Sequence, residues 1–153
     1  MIKRVSIYFF IVLFTSCAIR VDPSGGEKDV QPPKVIRAIP ENYSVNTNPS
    51  DVVLTFDEFV QLKDINTQLV ISPLLKYPTE SKIRKKSVII HFQDTLEENT
   101  TYTLNFGNSI VDMNEGNTME NYQFVFSTGN VVDSLKISGR IENAFNHKSE
   151  KAI

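Results

Sequence analysis

Short runs of β-branched and aromatic residues recur along the middle of the chain, and three of them are directly followed by a proline or a glycine. Runs of about four to eight such residues between turn-forming residues are typical of β-strands. Strands are therefore predicted at residues 34–39, 51–60, 68–72, 87–92, 101–106 and 122–127. Because a helical period is almost absent between them, the pattern predicts an all-β sandwich.

The first residues have the organisation of a secretory signal peptide. Residues 1–4 include a basic head, and residues 5–14 are almost continuously apolar. An apolar run of about ten residues is too short to cross a bilayer, which takes roughly 20, but it suits the hydrophobic part of a signal peptide. The small residues at 15–16 then offer a cleavage site. We therefore predict that residues 1–16 are removed.

The only cysteine of the chain, Cys17, directly follows this run. The combination resembles the lipobox of bacterial lipoproteins, although Phe14 stands where that family usually has leucine. The resemblance implies a lipoprotein signal peptide and acylation of Cys17, with palmitate among the acyl groups. Several acyl chains hold a domain on a membrane firmly, since each buried CH₂ contributes about 0.8 kcal/mol. The alternatives are a plain signal peptide with an incidental cysteine, and a free cysteine in a core.

The rest of the chain divides by composition. Residues 17–31 are rich in glycine and charge and are predicted to be a flexible tether that ends at a Pro-Pro pair. The predicted sandwich occupies residues 32–129. In the remaining residues, 130–153, residues 134–142 alternate between apolar and polar side chains, as in a further strand. This segment resembles the start of a carboxypeptidase-regulatory-like module, so a truncated second β domain is expected. A strand added to the first sandwich and a disordered tail are the alternatives.

A family resemblance follows from the order of several short motifs. They are P-P-K-V at 32–35, I-P-E-N at 39–42, V-V-L-T-F-D-E-F-V at 52–60, L-E-E-N-T-T-Y-T-L-N-F at 96–106, I-V-D-M-N-E-G-N at 110–117 and F-V-F-S-T-G at 124–129. Together they resemble the bacterial Ig-like domain of the S-layer-protein (SbsA-like) type, which implies a seven-stranded sandwich. The family's Asp-x-x-Gly-Asn loop is matched, with one extra residue, by Asp112, Gly116 and Asn117. With the lipobox, the chain resembles Ig-like-domain lipoproteins of Bacteroidetes-type bacteria.

Three residues are expected to have structural roles. Leu96 followed by Tyr102 resembles a tyrosine corner, in which the tyrosine hydroxyl bonds the backbone a few residues upstream. Gly116 permits the positive φ that a tight loop needs, and Asn117 tolerates it.

An enzyme is not expected. Asp57 and Glu58 are neighbours on a predicted strand and would point to opposite faces, which separates them as an acid and base pair. His91 and His147 are far apart in the sequence, and no phosphate loop, zinc spacing or serine elbow is present. No cofactor is therefore predicted. The chain carries 16 basic and 18 acidic side chains, a balance that disfavours nucleic-acid binding.

One loop is a weak candidate for a metal site. Asp112, Asn114, Glu115 and Asn117 place several oxygen ligands of the kind that calcium prefers in one segment. The spacing lacks the EF-hand pattern, and Asx-rich turns form without metal. A structural turn is the preferred interpretation, so no metal site is predicted.

Two further patterns concern the surface. The basic group of Lys82, Arg84, Lys85 and Lys86 is interpreted as a solvated hairpin that discourages pairing between sheet edges, with contact to an anionic surface as the alternative. Separately, the tripeptides that contain Thr95 and Ser134 resemble the Asp-Ser/Thr-aliphatic acceptor pattern for O-glycosylation in exported Bacteroidetes proteins.

These observations predict a lipid-anchored cell-envelope protein that presents a non-catalytic Ig-like module. The outer membrane, facing the periplasm, is the favoured location, and exposure on the cell surface is the alternative. A carbohydrate-binding or adhesive domain is a rival function, which exposed aromatic rings around Tyr43, Tyr77 or Tyr122 would favour. An accessory module of a longer envelope enzyme is another. The identity of a protein or glycan partner stays open, because sandwiches host many functions.

Overall fold

The strands of this chain are short and follow one another closely. The computed structural model describes residues 26–133, 142–146 and 148. Within this part it contains ten strands and one short helix: β1 Val35–Ile39, β2 Asp51–Phe56, β3 Val60–Leu62, α1 Ile65–Gln68, β4 Val70–Ser72, β5 Glu80–Arg84, β6 Ser87–His91, β7 Thr101–Asn105, β8 Ile110–Asp112, β9 Thr118–Met119 and β10 Gln123–Ser127. Cys17, Ser134, His147 and most of the predicted strand at 134–142 lie outside the described residues.

Two sheets form the layers of the sandwich. One has the strand order β1-β2-β6-β5, and the other has the order β10-β7-β4, with antiparallel pairing throughout. After β1 the chain crosses to the second sheet, where Ser44 forms a parallel bridge with Phe126 on the outer side of β10. This order corresponds to the ABED and GFC sheets of a constant-type immunoglobulin fold. The predicted all-β sandwich is confirmed.

The core consists of alternate side chains from the inner faces of both sheets. On β2 and β6 every second residue is buried, as the strand period of two requires. The opposite sheet contributes aromatic rings, and the Tyr102 and Phe126 rings stack with centroids 5.5 Å apart. The largest fully buried side chains are Tyr102, Phe56, Phe106, Phe124 and Phe126. Residues 26–133 contain no cysteine, so packing of these rings, and not a disulfide bond, stabilises this part of the chain.

A third, small sheet was not predicted. It has the order β3-β8-β9 and is built from the connection between β2 and β4 and the connection between β7 and β10. These two connections meet at one end of an Ig-like sandwich. The predicted strand at 51–60 is therefore wrong in extent, because the chain leaves β2 after Phe56 and returns as β3 with Val60 fully buried.

Two other differences have local causes. The predicted strand at 68–72 begins only at Val70, because the Asp64 carbonyl accepts hydrogen bonds from the Thr67 and Gln68 amides and closes the helical turn α1. β5 was missed because its residues, E-S-K-I-R, lie mostly exposed at a sheet edge and show no apolar alternation. Among the described residues, no helix has the length and apolar character needed to span a membrane.

Candidate binding groove

A groove of about 640 Å³ runs along β1. It is lined by residues 34–42, which include all of β1, and by Met119 and Tyr122. A volume of roughly 300 to 1,000 Å³ is typical of ligand sites. We refer to this feature as the β1 groove.

The groove exists because β1 is an edge strand with a bulge. The register with β2 shifts between Val35 and Arg37, so one extra residue, Ile36, lies on β1. Val35 and Ala38 consequently both pack against the core. Ile36 and Ile39 instead remain 66% and 48% exposed. An apolar surface is thus presented to solvent beside an open sheet edge.

Side-chain hydrogen bonds fix both ends of β1. At its start, Asp57 Oδ1 accepts a hydrogen bond from the Lys34 amide at 2.8 Å. Beyond its end, Asn42 Oδ1 accepts from the Val125 amide at 2.8 Å and from the Tyr43 amide at 3.1 Å. The Asn42 bonds connect the segment after β1 to the opposite sheet. The geometry of the groove is therefore held by the protein itself.

Of the three tyrosines predicted as candidate aromatic surface residues, Tyr43 and Tyr122 lie near each other, and Tyr122 lines the groove. Tyr43 has φ 63° and is 62% exposed, and its amide donates to the Val125 carbonyl at 2.6 Å. Burial raises the pKa of Tyr122, and the neighbouring Tyr43 adds to this increase. Tyr77 lies at another place, with Lys76 Nζ 5.2 Å from its ring centroid. The three rings do not form one platform.

The groove carries charged side chains that are free of partners. Within residues 26–133, the side chains of Lys34, Arg37 and Glu41 make no hydrogen bond or ion pair. Two cations and one carboxylate thus line the groove, which gives it a positive excess. Sequence reasoning did not single out these residues. The only available signal was the run V-I-R-A-I, in which apolar residues occur at both odd and even positions and so point to both faces of the strand.

Comparison with known proteins places the domain in a family. The family model of the bacterial Ig-like domain matches residues 29–128. The chain belongs to the bacterial Ig-like domain family. Among solved structures, the S-layer protein rSbsC(31-844) is similar, with 16% sequence identity and a TM-score of 0.43. The match covers 78% of this chain but only 19% of that one. No curated protein matches the sequence.

In the Ig-like domain, Tyr102 lies at the start of β7. Its hydroxyl accepts a hydrogen bond from the Glu97 amide at 2.9 Å, five residues upstream, and its ring is buried. This is the geometry of a tyrosine corner. Thr128 closes the same corner, because its hydroxyl donates to the Glu97 carbonyl at 2.6 Å. The role of Tyr102 here is to shape the fold.

The loop between β8 and β9 of the Ig-like domain uses its acidic residues internally. The Asp112 carboxylate is buried and accepts hydrogen bonds from the Asn114 and Glu115 amides at 2.7 and 3.0 Å, which hold its pKa below the usual range. Sharing a hydrogen bond with Asp112 raises the pKa of Glu115. Gly116 has φ 80°, and the Asn117 side chain donates to the Asp29 carbonyl. Among the described residues, no group of three acidic, histidine or cysteine side chains could hold a metal ion.

The remaining candidates are spread over the Ig-like domain. His91 Nδ1 lies 2.8 Å from Asp51 Oδ1, across the β2–β6 pair, and both side chains are substantially exposed. The basic group lies on the β5–β6 hairpin, as predicted, with Lys85 in its turn at φ 56°. Thr95 is exposed beside Asp94, whose carboxylate accepts from the Tyr77 amide at 2.7 Å. These residues do not converge on the β1 groove.

Proposed function

We propose that this protein is a lipoprotein of the bacterial cell envelope, anchored through acylated Cys17, whose Ig-like domain acts as a non-catalytic structural or binding module. Family membership supports the domain, and the signal-like N-terminus followed by Cys17 supports the anchor. The outer membrane, facing the periplasm, is the proposed location. The lipoprotein assignment rests on the sequence of residues 1–17.

The connections of the domain suit a spacer or display role. The chain enters β1 beside the end of β2, where Val35 pairs with Phe56. It leaves β10 beside the start of β7, where Ser127 pairs with Thr101. In an antiparallel sandwich these two points lie at opposite ends of the strands. A domain with this arrangement holds the chain after β10 about one strand length away from the point where the tether enters β1.

The non-catalytic role is supported by how the polar side chains of the described domain are used. Asp57 and Asp112 bind backbone amides, and His91 pairs with Asp51 at an exposed strand position. General acid and base catalysis needs groups that converge on a substrate. In the described residues, these groups instead stabilise turns and strand pairs.

Intact mass of the protein extracted from its native membrane tests this proposal. We expect a mature chain that begins at Cys17 and carries acyl mass, and we expect the Cys17→Ser variant to lack that mass. Ser16→Ala is the matched control, because it keeps a small residue at the cleavage site. A chain cleaved elsewhere and free of lipid would refute the anchor. The same spectra report any glycan mass, which Thr95→Ala and Ser134→Ala would assign to the proposed acceptors.

A further inference from the structure

The two outer strands of the four-stranded sheet differ in how their free edges are protected. β5 carries Glu80, Lys82 and Arg84, and Lys82 Nζ lies 2.8 Å from Glu80 Oε2. Charged side chains of this kind prevent a sheet edge from pairing with another strand. β1 has a single charged residue, Arg37, in the run V-I-R-A-I. Among the described residues, β1 pairs only with β2, so its outward backbone groups have no strand partner.

The β1 groove has the shape that an extended chain requires. It is lined by nine consecutive residues, 34–42. β1 itself has five residues, which at about 3.3 Å per residue give roughly 17 Å of strand, and a bend follows at Pro40. Ile36 and Ile39 supply exposed apolar contacts, and Tyr122 also lines the groove. Backbone pairing would give affinity, and these side chains would select apolar residues at alternate positions.

The charges of the groove indicate which peptides fit best. Lys34 and Arg37 outnumber Glu41, and all three side chains are free of partners within the described residues. An incoming strand with acidic residues among its apolar ones would therefore be attracted, and a basic strand would be repelled. A glycan would use aromatic rings and polar side chains but not a row of unpaired amides and carbonyls. The open edge favours a peptide.

We propose that β1 receives an extended segment of a partner protein, with alternating apolar and acidic residues, which becomes a fifth strand of this sheet. The apolar side chains of the segment contact Ile36, Ile39 and Tyr122, and its carboxylates lie near Lys34 and Arg37. This role is independent of the lipid anchor. A soluble or a membrane-bound form of the chain would have the same edge.

A labelled peptide tests the edge directly. The probe is an eight-residue peptide of alternating valine and glutamate, and its fluorescence anisotropy is measured with the full chain in detergent. We expect saturable binding that Ile36→Asp weakens about tenfold, because a charge on the edge opposes strand addition and a carboxylate there repels the glutamates of the peptide. Ile83→Asp is the matched control, since Ile83 is 42% exposed on β5. Circular dichroism melts verify that both variants are folded.

N-methylation separates backbone pairing from side-chain binding. An added strand turns the amides of every second residue toward β1, so methylation of that set should abolish binding and methylation of the other set should not. Arg37→Glu should transfer preference to a valine-lysine peptide. The proposal is overturned if the valine-glutamate peptide does not bind, or if both methylated forms bind equally. It is also overturned if oligogalacturonate binds and Ile36→Asp removes that binding while leaving peptide binding unchanged, which would indicate a glycan site.

Discussion

β1 and β5 occupy equivalent places, one at each edge of the same sheet, but their side chains differ in kind. β1 sends Val35 and Ala38 into the core and leaves Ile36 and Ile39 at the surface. Four of the five residues of β5 are exposed, and the strand carries an ion pair. An apolar open edge is an aggregation hazard that charged residues normally remove. β5 carries three charged residues and β1 only Arg37, a difference that is consistent with the proposed strand addition at β1.

A charge placed on each edge gives the largest expected difference. Val35→Asp puts a carboxylate against the core, where burial without a partner is costly, so we expect a loss of about 3 kcal/mol in the free energy of unfolding. Ile83→Asp adds the same group to the exposed edge, and we expect a change within about 0.5 kcal/mol. Urea denaturation followed by circular dichroism measures both. Similar losses for the two variants would show that the edges do not differ in their packing.

The far end of β1 should be the next most sensitive place. Asn42→Ala leaves the Val125 and Tyr43 amides without the side-chain acceptor that joins the two sheets. We expect a loss of about 2 kcal/mol, because Val125 is buried and its unpaired amide would be costly. Asn48→Ala, at an exposed position without such bonds, is the matched control. The hydrogen bonds accepted by Asn42 make no contribution to stability if both variants unfold at the same urea concentration.

The sequence predicted those parts of the domain in which local pattern and burial agree. β2, β6 and β7 alternate because one face is buried, and the Tyr102 corner has a fixed spacing within a single connection. The third sheet was not predictable in this way, since β8 is buried at every residue and has no period. The β1 groove depends on which strands end up at the edges. That is a property of long-range pairing, which V-I-R-A-I does not reveal.

The loops that lead into the two edge strands are held in similar ways, and a paired substitution can test this similarity. Asp57 accepts the Lys34 amide at 2.8 Å before β1, and Asp94 accepts the Tyr77 amide at 2.7 Å before β5. We expect Asp57→Ala and Asp94→Ala each to lower the free energy of unfolding by about 1 kcal/mol, the value of one such hydrogen bond. Chemical denaturation of both variants provides the test. An effect in only one of them would mean that the edges also differ in how they are held.

Two glutamates should give the smallest effects, and these have opposite signs: Glu58 follows the Asp57 that binds the start of β1, and Glu80 lies on β5. Partial burial, followed by repulsion from Asp112, raises the pKa of Glu58, whereas the hydrogen bond from Lys82 lowers the pKa of Glu80. For Glu58, the raised pKa means that the carboxyl group stabilises the folded protein at pH values below its unfolded-state pKa. This stabilisation is lost as the pH rises through the folded-state pKa. For Glu80, the lowered pKa means that the carboxylate stabilises the folded protein at pH values above its unfolded-state pKa. This stabilisation is lost as the pH falls through the folded-state pKa.

At neutral pH, Glu58→Gln should therefore stabilise the domain slightly, and Glu80→Gln should destabilise it or leave it unchanged. Glu80 and Lys82 are solvent-exposed, so salt should screen their interaction and return the pKa of Glu80 toward its ordinary value. NMR titration of the two side-chain carboxyl groups at low and high salt measures both shifts. If the two carboxyl groups had the same pKa, their surroundings would be electrostatically alike, and the two edges would differ only in packing.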